Sequence, residues 1–218
     1  MVMLALYGHP FSSYTWKALI PLYANGTAFE FRLVAPDEPE HAAFVQTAHP
    51  AGKFPILRDG DAVIVEATAI IEHLAAFHPG PAPLIPADPA LAAQARMIDR
   101  VFDNYVMANL QRVVNARIAN AAAPDPAEVA AGTAGLQRAY RWLEGWLDTH
   151  QLAPHVSLIS CAAAPSLFYA DWIERIPAEC PRLSGFRAEL LALPPVSRCV
   201  EDARPFRAYF PGGAPDRD

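Results

Sequence analysis

Ser12 and Ser13 are the first residues of the chain whose placement could do chemistry. They follow a short apolar run, Met3 to Tyr7, that ends at Gly8, and they open a stretch of helical spacing from Phe11 to Tyr23. A helix N-terminus carries unpaired N–H groups and partial positive charge. A hydroxyl there can face solvent in an environment that stabilises a thiolate. Either serine can equally be a plain N-cap, and the local sequence leaves both readings open. Tyr7 lies at the strand end and ranks below Ser12. Glu66 opens another helical pattern, Thr68 to Phe77, where the helix dipole alone favours an acid. Cys161, Cys180 and Cys199 lie far apart with no CxxC pair, so neither a zinc knuckle nor a dithiol site is expected, and no metal is assigned.

The elements that must hold these residues can be read from periodicity. After the first strand and helix, Phe29 to Val34 reads as a second strand and Glu38 to Ala48 as a short helix. Pro21 is a misfit inside the first helix and should kink it or end it early. Phe54 to Leu57 and Ala62 to Val65 should pair as a hairpin around Asp59-Gly60. The following helix puts Ile70, Ile71 and Leu74 on one face. The order βαβ, then αββα, describes a small mixed sheet flanked by helices. Pro79 to Pro89 holds five prolines and reads as a linker. Beyond it the strand signal disappears. Leu91, Ala95, Ile98, Phe102, Val106, Leu110 and Val113 form one apolar stripe on a long helix. Three more helices are expected over Val129–Leu147 (Leu136, Tyr140, Leu143 and Leu147 inward), Ser157–Ile176 and Pro181–Leu193. The boundaries expected are an α/β domain over 1–80, a linker over 81–89 and an all-α domain over 90–218.

Composition bounds the function class. The chain has 218 residues, of which 53% are hydrophobic and 18% charged, so a disordered chain is excluded. Its 22 prolines are about twice the usual share but are scattered rather than repeated. The net charge of −6 comes without any basic run, so neither nucleic acid nor an anionic membrane is an expected partner. The longest stretch free of Asp, Glu, Lys and Arg, Thr149 to Ala170, is interrupted by prolines and serines and reads as a buried helix rather than a membrane span. No secretory leader is expected, because MVMLALYGHP has no charged start and reaches Pro10 too early. With an odd number of cysteines, this points to a reducing, cytoplasmic setting.

Four segments in order, LYGHPFSSYTWK, HPAGKFPIL, EATAIIEHL and SLISCAAAPSLFYADW, resemble the soluble glutathione S-transferase family, Ser-type and bacterial-like, over nearly the whole chain. The resemblance implies a thioredoxin-like N-terminal domain, an all-α C-terminal domain and a homodimer. It implies glutathione as co-substrate and a small hydrophobic electrophile as the other substrate. Within it, Ser12 is the catalytic donor to the glutathione sulfur. Phe54-Pro55 is the turn whose proline is cis and whose preceding backbone pairs with the cysteinyl part. Lys53 faces the glycine carboxylate, with His41 beside it or else an ordinary exposed helix residue. Glu66 and its successor hold the γ-glutamyl end. The family has Ser as that successor. Here it is Ala67, which removes one hydrogen bond worth roughly 0.5–1.5 kcal/mol, with Thr68 a partial substitute. Phe11, Tyr105, Asn109, Phe168 and Trp172 are expected to line the electrophile pocket, although core packing is an equally open reading for each.

A further departure lies in SLISC, where Ser160 stands in place of the Asp of a capping box begun by Ser157. Ser160 can accept a hydrogen bond but carries no charge.

Ionisation alone achieves little. A thiol of pKa about 8.5 is about 3% ionised at pH 7, and lowering the pKa to about 6.5 gives roughly a 24-fold gain. The lost nucleophilicity returns about 6- to 10-fold of that, so positioning must supply much of the rest. SSYTWK is also similar to the SSCxWR signature of the zeta class, which isomerises maleylacetoacetate, with Tyr14 in place of its cysteine. A non-catalytic ligand- or partner-binding protein on the same fold is a third reading. A mixed-disulfide redox role is not expected, because no cysteine opens the first helix.

Overall fold

The computed structural model describes residues 3–218. The chain starts with β1 (Leu4–Gly8), α1 (Ser13–Asn25), β2 (Phe29–Leu33), α2 (Pro39–Ala48), β3 (Ile56–Asp59), β4 (Ala62–Val65) and α3 (Ala67–Phe77). The strands form one mixed sheet in the order β2-β1-β3-β4. β1 is parallel to β2 and antiparallel to β3, and β4 closes the expected hairpin against β3. The fold class is therefore as expected, a thioredoxin-like sheet domain followed by helices.

α1 is buried along its length from Thr15 to Leu22, because α3 packs on one side and the helical region on the other. That burial explains why Pro21 does not end the helix. The helix runs on to Asn25 and stops at Gly26, whose left-handed φ of 62° suits glycine. Gly8 is needed for a different reason, since a Cβ there would lie 2.6 Å from Thr15 Cγ2, so only glycine lets β1 run this close to α1.

The helical region holds α4 (Pro89–Val101), α5 (Ala108–Ala119), α6 (Pro126–Thr149), α7 (Leu158–Ile173), α8 (Pro181–Ala192) and α9 (Pro194–Ala203). A six-residue π-helical segment, Phe102–Met107, joins α4 to α5. The expected stripe is buried from Ala95 through Val113, but Leu91 is exposed. α9 and the 3-10 turn Arg204–Tyr209 had no counterpart in the periodicity reading. Pro194 and Pro195 look like breakers, yet proline is favoured at a helix start, where its missing N–H is not needed.

α7 is buried over nearly its whole length. Its start is held as expected without charge: the Ser157 N–H donates to Ser160 Oγ at 2.7 Å, and that hydroxyl donates to Ser157 O at 2.9 Å. The main core is continuous between the two halves, joining Leu6, Trp16 and Ile70 to Ile98, Leu136 and Leu167. Among the described residues no helix is long and apolar enough to cross a membrane.

Candidate functional site

The connection from β1 to α1 is pinned on every side. Ser12 N–H donates to His9 O at 2.9 Å, and Trp16 Nε1–H donates to Pro10 O at 2.6 Å. The Tyr169 hydroxyl from α7 donates to Phe11 O at 3.0 Å. Ser12 is the N-cap of α1, and its Oγ accepts from the Thr15 N–H at 3.3 Å. The capping reading is thus realised, and it leaves the chemical one intact. An Oγ that accepts the cap bond keeps its own proton for a further acceptor.

A cleft of about 230 Å³ opens beside this helix tip, lined by Tyr14, His49, Lys53, Phe54, Pro55, Glu66, Ala67, Arg100, Asp103 and Asn104. The Phe54–Pro55 peptide is cis. Glu66 has φ 72°, a left-handed conformation that is uncommon outside glycine and found where surroundings over-determine it. Immediately after it, Ala67 and Thr68 open α3, whose first N–H groups have no acceptor within the helix. The cleft therefore presents two cationic side chains, two carboxylates and a helix N-terminus around one backbone turn.

Burial, helped by the nearby Asp103 and Glu66 charges, pushes the Tyr14 phenol up to about 12. Tyr14 accordingly stays a neutral donor at working pH. Asp103 is also pushed up by burial, against the pull of the Lys17 ammonium.

Four residues of this cleft and its floor were not singled out from sequence. His49, 7% exposed, accepts from the Ala51 N–H at its Nδ1 and turns Nε2 toward Glu66 Oε1 at 3.5 Å. It sits inside the HPAGKFPIL segment, so a signal was there. Arg100, Asp103 and Asn104 come from the end of α4 and the π segment, and nothing local marks them.

The structure separates other expected residues from the cleft. His41 is packed under α2, with Nδ1 at 2.8 Å from Leu33 O and its ring edge-on to Tyr7. It belongs to the small core around Tyr7, because α2 turns it inward rather than toward Lys53. Thr68 points into a charge cluster, where its hydroxyl donates to Asp99 Oδ2 at 3.0 Å and accepts from Arg100. A carboxylate as deeply buried as Asp99 needs such donors, which leaves Thr68 unable to replace the missing hydroxyl of Ala67.

The five expected pocket residues lie in two places. Phe11, Phe168 and Trp172 stack with Tyr169 in one aromatic cluster, closed from the C-terminal side by Phe210. Tyr105 and Asn109 line a groove of about 420 Å³ with Val101, Gly135, Arg138 and Trp142 instead. Gly135 makes room for Asn109, since a Cβ there would come within 2.0 Å of Asn109 Oδ1. The three cysteines are free and buried, and burial pushes the thiols of Cys161 and Cys199 far up, so none is a ready nucleophile.

Residues 6–82, which supply the β1–α1 turn, the cis-proline and the start of α3, match the family "Glutathione S-transferase, N-terminal domain". This part of the chain is similar to glutathione S-transferase N-terminal domains. Among relatives, glutathione S-transferase 1 of Dianthus caryophyllus is 33% identical over 117 residues, covering 53% of this chain. That match spans half of the relative's own length. A probable maleylacetoacetate isomerase of Vibrio cholerae is 26% identical over 94% of this chain and 99% of its own. The structure of glutathione S-transferase III in its apo form superimposes with a TM-score of 0.74 at 25% identity, covering 92% of this chain and 96% of that one. The whole chain thus has the fold of the glutathione S-transferase structures, and the cleft is lined by both the sheet domain and the helical region.

Proposed function

We propose that the chain binds glutathione in this cleft and transfers its thiolate to a small hydrophobic electrophile. The observation that carries the reading is the meeting of three elements at one cavity: the first turn of α1, which lines it through Tyr14 with Ser12 capping the same helix tip, the Phe54–Pro55 turn, and the left-handed Glu66 before α3. The tripeptide is zwitterionic, and the cleft offers charges of both signs. Lys53 would take the glycine carboxylate. The first N–H groups of α3 would receive the γ-glutamyl carboxylate, with Glu66 facing its ammonium. The backbone of Phe54 would pair with the cysteinyl unit.

In the reaction the thiol S–H gives up its proton to solvent water, and Ser12 Oγ–H donates to the sulfur left anionic. The sulfur lone pair then forms the bond to the electrophilic carbon, while the leaving group or the adjacent π bond takes the displaced electron pair. The electrophile would approach from the side of Phe11, the half-buried edge of the aromatic cluster. A homodimer in a reducing, cytoplasmic setting completes the reading.

Glutathione titration calorimetry and turnover of a chlorodinitrobenzene-type substrate test it together. Saturable binding with turnover that falls in Ser12→Ala supports the reading. Binding without turnover points to a ligand-binding protein on this fold, and no binding removes the reading. The near full-length similarity to a probable maleylacetoacetate isomerase favours one second reading, glutathione-dependent cis–trans isomerisation, which maleylacetoacetate turnover decides.

A further inference from the structure

β3 follows directly on Pro55 and α3 begins with Ala67, both at the cleft, and both elements lead away from it. At their far ends three side chains meet. Asp59 closes β3, His73 lies in the last turns of α3, and His78 is that helix's C-cap. Asp59 Oδ2 lies 2.9 Å from His73 Nε2 and 2.7 Å from His78 Nε2. The three candidate ligand atoms all fall within 4.8 Å of one another. Both imidazoles present the same nitrogen to the same carboxylate oxygen.

The arrangement is held by its backbone. The His78 N–H donates to Leu74 O at 2.9 Å, and its carbonyl accepts from Asn25 Nδ2 at 3.4 Å. His78 has left the helix with φ −133°. Leaving the helical path is what lets a ring five positions after His73 return to the same point. Asp59 is fixed opposite Ala62 across the Gly60 turn. The side chains of Asp59, His73 and His78 are 24%, 15% and 29% exposed, enough for an ion to enter from solvent.

We propose that Asp59, His73 and His78 form a binding site for a zinc-class divalent cation, completed by water. Two imidazole nitrogens and one carboxylate oxygen are a ligand set that such ions accept. Zn–N and Zn–O bonds of about 2.0–2.2 Å in a tetrahedron place ligand atoms roughly 3.3 Å apart. The two Asp59–histidine separations need to open by about half an ångström, and the two imidazole nitrogens, within 4.8 Å of each other, need to settle at the same spacing. Each ring would carry its proton on Nδ1 rather than Nε2, a change of tautomer that releases no proton from a neutral imidazole. The site bears one formal negative charge, so the bound ion keeps a net single positive charge. Its place makes it a clip that fastens the β3–β4 hairpin to the end of α3, independent of the chemistry in the cleft.

The test uses untagged full-length protein, stripped with a chelator and titrated with Zn²⁺ by calorimetry and with Co²⁺ by visible absorption. The expected result is one ion per chain at micromolar affinity or tighter, tetrahedral Co²⁺ bands, and a rise in unfolding temperature with Zn²⁺. Asp59→Asn, His73→Gln and His78→Gln should each weaken binding at least tenfold. Glu40→Gln, in the separate group of Glu38, Glu40 and His41, should leave it unchanged. Circular dichroism identifies any variant that fails to fold, and the remaining two carry the test. Absence of saturable binding overturns the proposal. So does binding that survives all the folded site variants or disappears with Glu40→Gln.

Discussion

Lys17 on α1 and Asp99 on α4 meet at 2.6 Å with both side chains shut away from solvent. Asp103 shares the same ammonium at 2.8 Å, and Arg100 reaches both carboxylates from the surface. The cluster ties the sheet domain to the helical one directly beneath the candidate glutathione cleft. Removing one member of a buried pair leaves an uncompensated charge, which costs about 3–5 kcal/mol. At roughly 2–4 °C per kcal/mol for a chain of this size, Lys17→Met should lower the unfolding midpoint by about 6–20 °C. Calorimetry or circular dichroism measures it, and a shift under a few degrees contradicts the account.

Ser12 carries both a cap and a proposed chemical role, and two readouts separate them. Ser12→Ala should cost about 1 kcal/mol of stability as a lost N-cap. It should also lower kcat/KM about tenfold or more and return the bound thiol toward its ordinary pKa of about 8.5. Ser12→Thr retains a hydroxyl and should recover part of each. Stability loss with unchanged kinetics would leave Ser12 a cap only.

Ala67 offers a gain-of-function test. Thr68 is committed to Asp99 and Arg100, so in the proposed complex the γ-glutamyl carboxylate would lack a hydroxyl partner. Ala67→Ser should tighten glutathione binding about 2- to 12-fold, the equivalent of 0.5–1.5 kcal/mol for about one hydrogen bond. Calorimetric titration reads it directly, and equal or weaker binding counts against this placement of the ligand.

Hydrogen bonds from His78 and His73 hold the Asp59 carboxyl below its ordinary value. A depressed carboxylate contributes stability that is complete above the unfolded pKa, about 3.9. The contribution is lost as pH falls through the folded value. In chelator-treated protein, Asp59→Asn should therefore melt a few degrees lower at pH 7, with the gap to wild type closing as the pH drops below about 4. A gap that persists in acid would mean that the interaction does not involve the ionised carboxylate.

Val63 on β4, Phe77 at the end of α3, and Leu91 and Met97 on α4 are large apolar residues left exposed. A second copy of the chain covering them agrees with the proposed homodimer. Light scattering should give twice the 23.7 kDa chain mass, and Phe77→Glu should shift the equilibrium toward the monomer. A monomeric wild type at micromolar concentration removes the dimer.

Local signals were enough for the sheet domain. Alternation, Asp59-Gly60 and the apolar faces of α1 and α3 are short-range features, and Lys53, Pro55 and Glu66 sit in short recognisable segments. What escaped the sequence depends on distance along the chain. Lys17 and Asp103 are 86 positions apart, and Thr68 and Asp99 are 31 apart. No periodicity announces that they meet, so Thr68 read as free when it is bound. His41 read as a ligand contact beside Lys53 or an exposed residue because a short helix with little apolar patterning does not reveal which side faces the sheet. The Tyr105–Asn109 pair was misplaced because α4 is not the uninterrupted rod that its stripe suggests.

The π segment Phe102–Met107 also has a consequence for inheritance and engineering. A wide turn of this kind holds one more residue than an ordinary helical turn. Excising a single residue within it would close the wide turn to an ordinary helical one while leaving α5 near its present register, so the displacement falls on the residues of the turn itself. Asp103 and Asn104 would leave the cleft while the chain lost less than one percent of its length. One-codon deletions across this turn should therefore be far more damaging than the same deletions in the surface loop between α5 and α6.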